Sequence, residues 1–146
     1  MNVSEIMTSI VQTVDRKTPL ENVAKIMRDY DIGCVVVGTE NRLDGLITDR
    51  DIVCRAVASG EPLEGLTAGD LMTPKPVFCR EDDTVKQAAA IMERNQVRRL
   101  PVLDFDHRLV GIVSTGDIST HATHELAGEL IEEVSRPEHR NLAQTA

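Results

Sequence analysis

Gly45-Leu46-Ile47-Thr48-Asp49-Arg50-Asp51 decides the fold, because the chain writes it a second time as Gly111-Ile112-Val113-Ser114-Thr115-Gly116-Asp117. Each copy is a glycine, two β-forming apolar residues, a hydroxyl residue, two variable positions and an aspartate. The flanking segments match as well. Glu5-Ile6-Met7-Thr8 returns as Asp70-Leu71-Met72-Thr73, and Met27 returns as Met92. Overlooking an internal repeat of this kind misassigns the whole fold, so it sets the frame for everything local.

Working outward from the first copy, Leu43 to Ile47 reads as a strand running straight into Thr48, and Asp49 to about Ser59 has helical periodicity. Cys34-Val35-Val36-Val37 is a β-rich run expected to be a buried strand. Before it, Leu20, Val23, Ala24, Met27 and Tyr30 recur at helical spacing. Thr18-Pro19 supplies helix-start chemistry, a hydroxyl cap followed by proline. Val11 to Val14 is expected as a short strand, and Ser4 to Met7 as a helical turn.

The same programme follows the linker 60–66. Val77-Phe78-Cys79 is the short strand, and Thr84 caps a helix carrying Val85, Ala88, Ala89 and Met92. Leu100 to Leu103 and Leu109 to Val113 are the strands. The spacing predicts a last helix that runs past His121 and His124, through Leu126, Leu130, Ile131 and Val134, until Pro137. Residues 136–146 are polar and expected to fray. The reading is an α/β (α+β) chain of two βαββα repeats, 1–59 and 67–122, with a C-terminal helix and polar tail over 123–146.

At 146 residues the chain can bury a real core without disulfides or metals. Aromatics are limited to Tyr30, Phe78 and Phe105, so that core is aliphatic. The formal charge of −8 disfavours duplex DNA and anionic membranes, since phosphate binding draws on clustered Lys and Arg. Cys34, Cys54 and Cys79 are odd in number and lack CxxC spacing, as expected for reduced packing residues of a cytoplasmic protein. The N-terminus lacks the basic and apolar regions of a signal peptide, and no apolar run is long enough to span a membrane. No P-loop, GxSxG, nucleophile–base pairing or hydrolytic carboxylate pair is present, so an enzyme is not expected.

The repeated pattern resembles a tandem pair of CBS domains, the cystathionine-β-synthase-type regulatory module. The residues carrying the resemblance are Ile6-Met7-Thr8, Leu71-Met72-Thr73-Pro74, Val97-Arg98-Arg99-Leu100-Pro101-Val102 and the two Gly-x-x-Thr/Ser-x-x-Asp stretches. Together they cover about Val3 to Ala122, as in small stand-alone bacterial CBS-pair proteins. The resemblance implies two repeats packed as a pseudo-two-fold pair, commonly dimerising into a disc. It also implies adenosine-containing ligands, AMP, ADP, ATP or S-adenosylmethionine, in clefts between the repeats. No cofactor is required, and a downstream protein partner of unknown identity is expected.

Thr48 and Asp51 admit two readings. A hydroxyl residue at a strand end with a carboxylate three residues on is close to a capping box, so both side chains can serve only the backbone. Ser114 and Asp117 repeat it. The alternative is nucleotide binding: a helix start and a hydroxyl suit phosphate, and a carboxylate accepts from ribose hydroxyls. The resemblance favours nucleotide binding, with aspartate on ribose and the hydroxyl residue near phosphate. It groups Ile32, Gly33, Thr48, Arg50 and Asp51 with Pro76 and Val77 crossing over, and Arg98, Arg99, Pro101, Ser114 and Asp117 with Val11 and Thr13 crossing over. Arg98 and Arg99 stand where Gly33 and Cys34 stand in the first repeat, so the second site is expected to bind phosphates better. Either arginine could equally be a solvated surface residue. His121 and His124 have spacing for a metal but no third ligand in sequence, and no metal is expected. The stripe Leu126, Leu130, Ile131 and Val134 could dock a partner or fold back on its own core.

Overall fold

The structure is a computed structural model of the chain and describes residues 1–137. Two compact units are formed, one from Val11–Pro76 and the other from Met1–Ile10 together with the chain from Val77 onward. Each holds one βαββα arrangement.

In the first unit, β1 (Thr13–Val14) lies parallel to β2 (Cys34–Thr39), with Thr13 opposite Val36. A parallel pair needs a crossover, and α1 (Leu20–Tyr30) provides it, burying Leu20, Val23 and Met27. The cap differs from the sequence expectation. Pro19, not Thr18, takes the N-cap position, and its carbonyl accepts from the amides of Asn22 and Val23 at 2.9 and 3.2 Å. Thr18 instead accepts the Ala68 amide through its carbonyl at 2.9 Å. At the far end Asp31 adopts φ 52°, the left-handed turn that stops the helix.

β3 (Arg42–Thr48) pairs antiparallel with β2, and the register shifts between Val37 and Gly38. The chain then enters α2 (Asp49–Asp51), widens into a π-helical turn (Ile52–Ala56) and tightens into a 3-10 turn (Val57–Ser59). The helix expected over 49–59 is therefore one helical stretch of varying pitch. α3 (Ala68–Leu71) leads into β4 (Thr73–Pro74), which pairs antiparallel with β3. Val23, Val35, Val37 and Ile47 are fully buried in the resulting core, each contributing about 1.5–3 kcal/mol of burial.

The second unit repeats this. β5 (Cys79–Arg80) runs parallel to β6 (Arg99–Leu103), α4 (Val85–Asn95) makes the crossover, and β7 (Leu109–Ser114) pairs antiparallel with β6. Here the expected Thr84 cap is present, closed by Gln87. α5 (Thr115–His121) follows β7. The predicted continuous C-terminal helix is broken. Ala122 is extended, and Thr123 caps a separate α6 (His124–Ser135) by accepting from the Leu126 amide. α6 packs on α4 and α5 and sends Leu130 and Val134 into the core beside Ala88, Ala89, Met92 and Ile118. The apolar stripe thus folds back on its own unit, leaving Ile131 exposed. The frayed tail expected over 136–146 lies outside the described residues beyond Pro137.

The units cross the repeat boundaries. The segment that leads each repeat pairs in the unit built by the other. Thr73 lies opposite Leu46, and Thr8 exchanges hydrogen bonds with Ile112 at 2.8 and 3.0 Å. This pairing explains the motif glycines. A Cβ on Gly45 would stand 2.6 Å from Met72 Sδ and 2.7 Å from the Thr73 carbonyl oxygen; one on Gly111 would stand 2.6 Å from Met7 Sδ and 2.9 Å from the Thr8 oxygen. The repeated Met-Thr and the repeated glycine are two halves of one contact.

Candidate functional site: the paired strand-to-helix junctions

Both junctions close as capping boxes. Thr48 ends β3 in extended geometry; its Oγ1 accepts from the Asp51 amide at 3.1 Å, and Asp51 Oδ2 accepts from the Thr48 amide at 2.9 Å. The Asp49 amide donates to the Gly33 carbonyl at 3.0 Å, tying the helix start to the entrance of β2. At the other junction Ser114 Oγ accepts from the Asp117 amide at 3.1 Å, while Asp117 Oδ2 takes the Ser114 amide and hydroxyl at 2.8 and 3.0 Å. The Thr115 amide donates to the Arg98 carbonyl at 2.9 Å, and Arg99 lies opposite Ser114 in the sheet.

The two carboxylates differ in what is left over. Asp51 Oδ1 lies 3.7 Å from Arg55 Nε, and Arg55 also donates to the Leu71 carbonyl. In the second unit His121 holds the matching position, and its Nδ1 lies 2.9 Å from the Asp117 carbonyl oxygen rather than the carboxylate. Among the described residues no donor reaches Asp117 Oδ1. Neither Oδ1 accepts a hydrogen bond among the described residues, and the difference is that the Asp51 charge is partly balanced by Arg55.

The remaining expected site residues fall as follows. Ile32 and Gly33 are half-buried beside the first junction, and Arg50 is exposed with its amide held by Asp49 Oδ1. Arg98 is exposed and Arg99 half-buried beside the second junction, while Pro101 is buried mid-strand opposite Ile112. Val11, Thr13 and Pro76 belong to the unit of Thr48, and Val77 to that of Ser114. Val11 and Pro76 are half-buried, and Thr13 and Val77 exposed.

Two charged contacts were not anticipated from sequence. Arg55 stands one helical turn beyond Asp51, a spacing that signals such a pair. Asp44 is buried within β3, gripped by Arg42 Nε at 3.0 and 3.1 Å with Arg16 Nε at 3.5 Å. A lone carboxylate inside the apolar run Leu43 to Ile47 is the signal for it, since a buried charge needs a partner.

Other titratable groups serve the core. Burial and the nearby Asp83 push the Cys79 thiol up to about 12, so it packs as an inert apolar group. Among the described residues no group of three or more His, Cys, Asp and Glu side chains is placed to hold a metal. His121 and His124 are exposed on either side of the α5–α6 break. Among the same residues no helix is long and apolar enough to cross a membrane.

Comparison with known proteins agrees with this architecture. The CBS domain model matches residues 3–57 and 68–123. Hypoxic response protein 1 of Mycobacterium tuberculosis is 34% identical over 134 residues, spanning 91% of this chain and 93% of the relative. The CBS domain-containing protein YhcV of Bacillus subtilis is 32% identical, spanning 97% and 98%. Among solved structures, the CBS domain protein TA0289 from Thermoplasma acidophilum superposes with a TM-score of 0.81 at 27% identity, covering 91% of this chain and 75% of that one. The CBS domain pair of MJ0100, solved with 5′-methylthioadenosine and S-adenosyl-L-methionine, gives 0.73 at 29% identity, covering 82% and 94%. CBSX2 in complex with AMP gives 0.69 at 25% identity, covering 82% and 93%. The chain belongs to the CBS domain family, as a tandem pair of the kind found in small bacterial CBS-pair proteins.

Proposed function

We propose that the protein is a non-catalytic regulatory module that binds an adenosine-containing nucleotide, AMP, ADP or ATP before S-adenosylmethionine, at its Thr/Ser-x-x-Asp junctions. The observation that carries this is the second junction, where Asp117 closes the cap with Oδ2 and keeps Oδ1 without a donor among the described residues. A carboxylate oxygen so placed accepts from a ribose hydroxyl. Ser114 and the nearby Arg98 and Arg99 supply the cationic and hydroxyl chemistry for phosphates. The AMP complex of CBSX2 and the S-adenosylmethionine complex of MJ0100 support the ligand class. The first junction, with Thr48, Arg50 and Asp51, is the weaker site because Arg55 already shares the Asp51 carboxylate. We place the protein in the cytoplasm as a homodimer that reports nucleotide state to another protein, with neither nucleic acid nor membrane as partner.

A second reading has its own observation: both boxes are closed, so the motifs already have a structural job. On that reading the protein is a ligand-free dimeric scaffold. Thermal unfolding with and without nucleotide separates the two. Ligand at 100 times its dissociation constant stabilises by about 2.7 kcal/mol. The nucleotide reading predicts such a shift with at least one ligand, and its loss in Asp117→Ala. The scaffold reading predicts no shift in either protein, and only the cost of a lost cap, about 0.5–2 kcal/mol.

A further inference from the structure

One turn beyond the motif aspartate stands Arg55 in the first repeat and His121 in the second. Arg55 lies in the π-helical turn Ile52–Ala56, and two contacts fix its guanidinium. Nη1 donates to the Leu71 carbonyl at 3.2 Å, so the cation is held from outside its own helical stretch. Nε stands 3.7 Å from Asp51 Oδ1. That separation balances the carboxylate charge without occupying the oxygen, which accepts no hydrogen bond among the described residues. Asp51 therefore stays open to a ribose hydroxyl while its charge is offset. Its side chain is only 16% exposed, so water screens the pair incompletely. His121 does not play this part. Its Nδ1 lies 2.9 Å from both the Asp117 carbonyl oxygen and Thr120 Oγ1, turned onto its own helix.

We infer that Arg55 decides which class of adenosine compound the first junction takes, selecting those that carry negative phosphate over those that carry a positive sulfonium. The inference rests on the nucleotide reading above and adds a discriminating residue to it. Both classes present the same ribose to Asp51, so the ribose contact cannot tell them apart. The charge carried at the other end of the ribose can. A bare carboxylate attracts a cation and repels phosphate. With Arg55 pinned beside Asp51 that bias is offset, and the exposed Arg50 at the same helix start adds positive charge. One surface ion pair is worth little by itself. A nucleotide and a sulfonium differ by about three unit charges, however, and each feels the Arg55 charge with opposite sign. Removing that charge should change their relative affinity by about two- to tenfold after screening.

Equilibrium dialysis of the full chain tests this, with S-adenosylmethionine against the tightest binding of AMP, ADP and ATP. An Asp117→Ala background leaves the first junction as the site being read, and adding Asp51→Asn should abolish the binding that remains. In that background Arg55→Gln is expected to lower the nucleotide affinity relative to S-adenosylmethionine by about two- to tenfold. Arg55→Lys, which keeps the charge, should hold the ratio within about twofold of the Arg55 chain. A general loss of stability weakens both ligands alike and leaves the ratio unmoved, and circular dichroism reports folding. If the unsubstituted, folded chain binds none of the four compounds, the nucleotide reading falls and this inference with it. If it binds one, the Arg55 assignment alone is overturned by any of three results: no binding left in Asp117→Ala, binding that survives Asp51→Asn, or a ratio that Arg55→Gln does not lower.

Discussion

Replacing Gly111 with alanine probes the contact that joins each repeat to the leading segment of the other. Gly111 sits in β7 opposite Val102 with no positive φ, so alanine is not strained by its own backbone. The added methyl meets Met7 Sδ at 2.6 Å and the Thr8 carbonyl oxygen at 2.9 Å. The thioether can rotate away. The carbonyl cannot move freely, because it accepts the Ile112 amide at 3.0 Å. The edge segment must therefore retreat or lose that bond. Overpacking of this kind costs about 1–3 kcal/mol, offset by about 0.4–1 kcal/mol from the stiffer unfolded chain. The net expectation is a loss of about 1–2 kcal/mol, read as a lower urea midpoint at unchanged slope. Gly45→Ala should cost as much, with the Thr73 oxygen at 2.7 Å. Gly128→Ala is the internal control. It lies in α6 with nothing within 4 Å, so the same substitution should stabilise by about 0.5–1 kcal/mol. If Gly111→Ala matches or exceeds the unsubstituted chain, steric closeness is not why glycine stands there.

Two further outcomes follow from α6. Leu130→Ala empties a fully buried position and should cost about 2–5 kcal/mol in urea unfolding; a cost below 1 kcal/mol would mean that α6 is not part of the core. Burial, with Glu133 and Glu129 nearby, pushes the Glu93 carboxyl above its usual range. Its charge is therefore a cost in the fold at neutral pH, relieved as pH falls through the raised value and absent below the ordinary carboxyl range. Glu93→Gln should raise the melting temperature at neutral pH by a margin that shrinks on acidification. A margin independent of pH would contradict the assignment.

The repeats were legible because strand and helix periodicities switch at the same places in both copies, and the boxes because a hydroxyl residue and an aspartate three residues on have few other uses. Three features were hidden for physical reasons. The break at Ala122–Thr123 falls inside a run of unbroken helical periodicity, and only the capping of Leu126 by Thr123 declares it. Pro19 replaces the hydroxyl cap that Thr84 supplies in the other repeat, so Thr18-Pro19 misled by one position. The exchange of the Met7-Thr8 and Met72-Thr73 segments is a long-range pairing that no local pattern encodes, although glycine and methionine recurring together was its trace. At the site, Asp51 and Asp117 look alike in sequence. Arg55 against His121 is what separates them, and it acts through side-chain direction.

Isothermal titration of the full chain with AMP, ADP and ATP, repeated on Asp117→Ala, tests the central claim most directly. The account predicts saturable heat with at least one nucleotide and loss of the tighter binding event in the variant, while the variant stays folded. Absence of heat with all three on well-folded protein would contradict it, as would undiminished binding to Asp117→Ala.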